Sequence, residues 1–141
     1  MKVSLNRVNQ GYLFEVHNDN GHKVLLDNKS KKVGKVKGVS PMELLLMGLA
    51  GCSSIDIISI LNKQKINPTD LKMDVEGYRL TDQVPSLFYK IQVDIKLEGD
   101  ISAEKAKRAV SLSFDKYCSV AKTLSFSTPI KYSIFLNGEK L

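Results

Sequence analysis

The chain has 141 residues, enough for one domain with a substantial core and too few for several. Its 43% hydrophobic and 26% charged residues give the balance of a globular protein and exclude a disordered or low-complexity chain. The net charge of +6 rests on lysine, with arginine only at Arg7, Arg79 and Arg108; general attraction to anions is expected, but specific nucleic-acid recognition is not, because that task favours the planar guanidinium.

The opening residues, Met1-Lys2-Val3-Ser4-Leu5-Asn6-Arg7, are too polar for a signal peptide. Val3 to Val8 alternates apolar and polar side chains and predicts a strand. Asn9-Gln10-Gly11 predicts a turn, Tyr12 to His17 a second strand, Asn18 to Gly21 a tight turn and His22 to Asp27 a third strand. A basic segment follows from Asn28 to Val39, with Lys29, Lys31, Lys32, Lys35 and Lys37. It reads as a solvated loop, or as an anion-attracting rim.

Ser40-Pro41-Met42-Glu43 opens a helix that should run to about Gln64. Ser40 suits the N-cap and Pro41 the first helical position, and Glu43 can reach back to the cap. This helix is apolar on nearly all sides, as expected of a core or interface helix. Its longest apolar run, Leu44 to Ala50, is far short of the roughly 20 residues that span a bilayer. Strands are predicted from Leu71 to Leu80 and from Leu87 to Leu97, the latter alternating cleanly except at Phe88. Ser102 should cap a second helix ending near Cys118, with Ser119 to Leu124 another helical turn. Thr128 to Asn137 is the last predicted strand. The order βββ-α-ββ-α-β argues for an α+β fold in one domain, residues 1–141, with helices packed on antiparallel sheets.

Cys52 lies inside the first helix among Gly48, Ala50, Gly51, Ser53 and Ser54. Each helical glycine costs about 1 kcal/mol in propensity, so close approach of another element is expected there. Cys52, Asp56, Ser59 and Lys63 are spaced four, three and four apart and share a helix face. That polar line either walls a pocket or marks the solvent edge. A cysteine by itself is as well explained as a small buried hydrophobe. No zinc-binding spacing and no C-x-x-C occurs, and His17 and His22 read as surface residues of a hairpin. Two cysteines make a poor secreted disulfide framework, and a cytoplasmic protein without membrane association is expected.

Ser40-Pro41-x-Glu43-Leu44-Leu45 followed by Gly48-Leu49-Ala50-Gly51-Cys52 resembles the cysteine helix of the OsmC/Ohr family (osmotically induced protein C and organic hydroperoxide resistance protein). Tyr117-Cys118-Ser119-Val120-Ala121-Lys122 resembles its second cysteine motif. The resemblance covers essentially the whole chain. It implies an intertwined homodimer with active sites at the interface, and thiol-dependent reduction of organic hydroperoxides without metal or other cofactor. Cys52 would form the sulfenic acid and Cys118 the disulfide, which a dithiol of lipoyl type would reduce. The resemblance also implies a glutamate and an arginine that hold the thiolate. Met42 stands where that glutamate usually follows the proline, so Glu43 is its candidate, and Arg7 is the N-terminal arginine. Lys35 or Lys37 could supply positive charge instead. Asp56 is expected to support the site and to oppose thiol ionisation.

Overall fold

The computed structural model describes residues 1–28 and 35–141. Lys29, Lys31 and Lys32 of the expected basic rim lie outside the described residues. The chain forms two compact units, residues 1–45 and 46–141.

In the first unit, β1 (Val3–Arg7), β2 (Phe14–Asn18) and β3 (Lys23–Leu26) form an antiparallel sheet in that order. The turn between β2 and β3 is held by the Asn18 side chain, which accepts from the backbone N–H of Asn20 and of His22, both at 3.0 Å. Arg7 has a local task as well: its guanidinium donates to the carbonyls of Gln10 and Gly11 and closes the turn after β1. The segment around Val39 runs beside β3, with Val39 donating to Leu25 and accepting from Asp27. Gly38 makes that approach possible, since a Cβ there would sit 2.6 Å from the Leu25 carbonyl oxygen.

The helix α1 (Pro41–Lys63) opens in this unit and continues through the second. Its start is the predicted capping box. Glu43 accepts from the Ser40 N–H at 2.8 Å, and its own N–H donates to Ser40 Oγ at 3.2 Å. By length and composition alone α1 would suffice to cross a membrane, with mean hydropathy 2.0 over its most apolar stretch. Leu49, Ser53, Ile57 and Leu61 nevertheless form a buried stripe at four-residue spacing, the pattern of a core helix. Ser53 Oγ lies 3.4 Å from Met73 Sδ, which seats this stripe on the sheet that follows.

In the second unit, β4 (Asp70–Arg79) pairs antiparallel with β5 (Phe88–Glu98). From β5 the chain passes through α2 (Ala103–Leu112), a π-helical turn (Ser113–Tyr117) and α3 (Ser119–Ser125). It returns as β6 (Ile130–Leu136), parallel to β5, and ends in the short antiparallel β7 (Glu139–Lys140). The fold is α+β, as expected. One pairing departs from the expected antiparallel sheets: a helical crossover delivers the returning strand parallel to the one it left. Ile91, Val93, Ile95 and Leu97 of β5 are fully buried, and so are Ala106, Ala109 and Val110 of α2.

Phe88 breaks the alternation of β5 because the pairing shifts by one residue there. Tyr78 pairs with Lys90 but Arg79 pairs with Phe88, leaving Tyr89 unopposed. The bulge turns Phe88 inward, to 7% exposure, and Tyr89 outward, to 50%. The Phe88 ring then lies over Gly77, where a Cβ would come within 2.3 Å of a ring carbon.

Candidate active site

Cys52 and Asp56 stand one turn apart on α1, on the face predicted from their spacing. Cys118 sits where the π-helical turn ends and α3 begins, in extended backbone, with its N–H bonded to the Ser113 carbonyl at 2.8 Å. Two contacts fix that junction. Phe114 stacks on Tyr132 of β6 with ring centroids 4.9 Å apart, and the buried Ser113 hydroxyl donates to the Ser53 carbonyl of α1 at 3.3 Å.

These elements bring Cys52 Sγ, Cys118 Sγ and a carboxylate oxygen of Asp56 within 4.8 Å of one another. Both cysteines are free thiols; Cys118 is fully buried and Cys52 is partly exposed. Burial pushes the Cys118 thiol up to about 12, aided by its hydrogen bond with Cys52 and by the negative charge of Cys52 and Asp56. The Ala121 N–H, donating to Cys118 Sγ at 3.3 Å, works the other way. Asp56 Oδ2 is buried without a hydrogen-bond partner among the described residues.

Asp56, Ser59 and Lys63 also line a cavity of about 440 Å³, together with Arg108, Leu112 and Tyr117. The polar line of α1 thus borders an open cavity from Asp56 onward, and its Ser59 and Lys63 are also solvent-exposed. Arg108 and Tyr117 belong to this wall, although the sequence reading singled out neither for the site. Adjacency to Cys118 was the signal for Tyr117; nothing in the local pattern marked Arg108. Glu43 and Arg7 belong to the first unit, the one in the capping box and the other in the turn after β1. Lys37 contributes its backbone N–H to Asp27 at 3.0 Å.

The family model for OsmC-like proteins matches residues 34–133. The chain belongs to the OsmC-like family. Protein YhfA of Escherichia coli strain K12 is 36% identical over 125 residues, 88% of this chain and 90% of its own. Among solved structures, an OsmC-like protein from Mycoplasma pneumoniae shares the fold with a TM-score of 0.82 at 20% identity, over 96% of this chain and 95% of that one. The organic hydroperoxide resistance protein OhrB of Bacillus subtilis shares it with a TM-score of 0.67, also at 20% identity, over 96% of each chain. The OsmC-like assignment and the two neighbouring thiols therefore stand together, and the cysteines of the two motifs are the chain's only ones.

Proposed function

We propose that this OsmC-like protein is a thiol-dependent peroxidase for organic hydroperoxides. The observation that carries the reading is the proximity of two free thiols of unequal exposure, one on each cysteine motif. The accessible Cys52 sulfur attacks the terminal peroxide oxygen and breaks the O–O bond, giving an alcohol and a Cys52 sulfenic acid. The Cys118 sulfur then displaces hydroxyl from Cys52, releasing water and forming the disulfide. A dithiol reductant, of lipoyl type by the family resemblance, returns both thiols and becomes a disulfide itself. A disulfide needs sulfurs about 2.05 Å apart, so closure asks for a movement of up to about 2.7 Å. Cys118, buried and hard to ionise, suits the resolving role rather than the first attack.

In this reading Asp56 supports the pair as the carboxylate that, among the described residues, clusters with the two sulfurs. Glu43 and Arg7, the resemblance's candidates for holding the thiolate, have structural tasks of their own. Turnover in Glu43→Gln, which can retain the capping box, and in Arg7→Lys separates the two kinds of role.

The reading includes a homodimer, and its support is the outer face of α1. Met47 and Ile55 are 52% and 69% exposed, with the bare Gly48 and Gly51 between them. The same reading takes residues 1–141 as one domain, because α1 runs unbroken across the two units. It places the protein in the cytoplasm, where thiols stay reduced.

Treating reduced protein with one equivalent of cumene hydroperoxide tests the chemistry. Loss of two hydrogens in intact mass, with the Cys52 and Cys118 peptides joined, is expected. Thiols that stay free would overturn it. The cavity along Asp56, Ser59 and Lys63 favours the second reading, a small-molecule binding module, in that event.

A further inference from the structure

We propose that the reduced Cys52–Asp56–Cys118 cluster is a zinc site with an open fourth position. Tetrahedral zinc with sulfur at about 2.3 Å and oxygen at about 2.0–2.2 Å holds its ligands roughly 3.3–3.8 Å apart. The three ligand atoms already lie within 4.8 Å of one another, so a contraction of at most about 1.5 Å assembles that geometry. Cys52 and Asp56 reach the ion from successive turns of one helix, and Cys118 from a junction anchored by Phe114 and Ser113.

The donor set selects among cations. Magnesium and calcium take oxygen alone, and copper(I) favours thiolates without carboxylate; zinc accepts both kinds. Two thiolates and one carboxylate leave a zinc site with a net charge of −1. Asp56, whose Oδ2 is buried with no hydrogen-bond partner among the described residues, gains in the ion a partner for its carboxylate. The Ala121 N–H pointing at Cys118 Sγ supplies the outer support that metal-bound sulfur ordinarily receives. The cavity that Asp56 shares with Ser59 and Tyr117 adjoins the cluster through Asp56.

Zinc and the disulfide exclude each other, because a disulfide has no thiolate to give. The site nevertheless does not depend on peroxide turnover, and it is measured on reduced protein without peroxide. The full chain, reduced, freed of metal with a chelator and desalted, is titrated with Zn²⁺ against a chromophoric competitor. It is titrated separately with Co²⁺, whose thiolate charge-transfer absorption reports sulfur ligation. One Zn²⁺ per chain and that absorption are expected. Cys118→Ser should weaken binding about a hundredfold, and Asp56→Asn about tenfold with the absorption kept. Wild-type protein carrying the disulfide should not bind, a comparison that needs no variant to fold. Failure of reduced wild type to compete, or zinc retained by Cys118→Ser or by the disulfide form, would overturn the site. So would affinity unchanged by Asp56→Asn. The cumene hydroperoxide experiment is scored separately, so the two readings fail independently.

Discussion

The Ser113 hydroxyl donates to the carbonyl of Ser53, the residue after Cys52, and both serines are fully buried. This bond joins the two cysteine-bearing segments five residues before Cys118. Ser113→Ala removes the donor, while the Ser53 carbonyl keeps its partner within the helix. The cost should therefore be near the lower end for a buried hydrogen bond, about 1 kcal/mol. For a chain of this size the melting temperature should fall by roughly 3–4 °C. Peroxide-driven disulfide formation, followed by intact mass, should slow more than this loss of stability explains, because the bond registers the two sulfurs.

Gly77 and Phe88 form a second dependence. A Cβ at Gly77 would meet the Phe88 ring at 2.3 Å. Gly77→Ala should destabilise the protein by about 1–3 kcal/mol through overpacking. Phe88→Leu in the same chain should recover part of that loss, so a double-mutant cycle in urea should show clear coupling. Additive effects would mean that the ring does not limit the space.

Much of this architecture was legible because its signals are local. The Ser40–Glu43 capping box, the Ser102 cap and the Asn18 turn each need only a few neighbouring residues, and each forms as read. The faces of α1 were legible for the same reason, since helical period alone groups Cys52 with Asp56, Ser59 and Lys63. The bulge at Tyr89 was visible only as the anomaly at Phe88. Its cause is a pairing shift against Arg79, which a single strand cannot reveal. The parallel pairing of β5 with β6, and the two-residue β7, likewise depend on partners remote in sequence. The meeting of Cys52 with Cys118 has the same character. Spacing says nothing about it; the helical crossover and the π-helical turn make it.

Alkaline pH should weaken the reduced, metal-free protein through Cys118. Its thiol titrates near 9.0 in the ordinary case and is pushed up to about 12 in the fold. Between those values the unfolded chain releases a proton that the native state keeps. The stability from burying the neutral thiol is fully present below pH 9 and declines as pH rises toward 12. Urea unfolding of wild type and Cys118→Ala at several pH values between 8 and 11 should show the difference shifting steadily against wild type. A difference independent of pH would contradict the raised value.

A second copy of the chain on α1 has a direct test in Gly51. A Cβ there meets nothing within 4 Å among the described residues. If α1 stood alone, Gly51→Leu would stabilise the helix by nearly 1 kcal/mol through propensity. With a partner helix close against the glycine, the same change should break the dimer. Sedimentation velocity should show wild type as a dimer, Gly51→Leu largely as monomer, and Ile55→Asp as monomer. A Gly51→Leu protein that is more stable and unchanged in mass would remove this face as the contact.

The unequal burial of the two thiols predicts unequal consequences of removing them. Cys52→Ser should lose peroxide turnover completely, since the remaining sulfur is fully buried and resists ionisation. Cys118→Ser should still react once with cumene hydroperoxide, because Cys52, the proposed attacking residue, is intact. With no resolving thiol, the sulfenic acid should persist, form an adduct with dimedone, and pass to sulfinic acid under excess peroxide. Mass spectrometry then distinguishes the roles. A gain of one oxygen on the Cys52 peptide in Cys118→Ser, and no oxygen on Cys118 in Cys52→Ser, supports the assignment. The reverse pattern would exchange the attacking and resolving residues, and would require the buried sulfur to become exposed during the reaction.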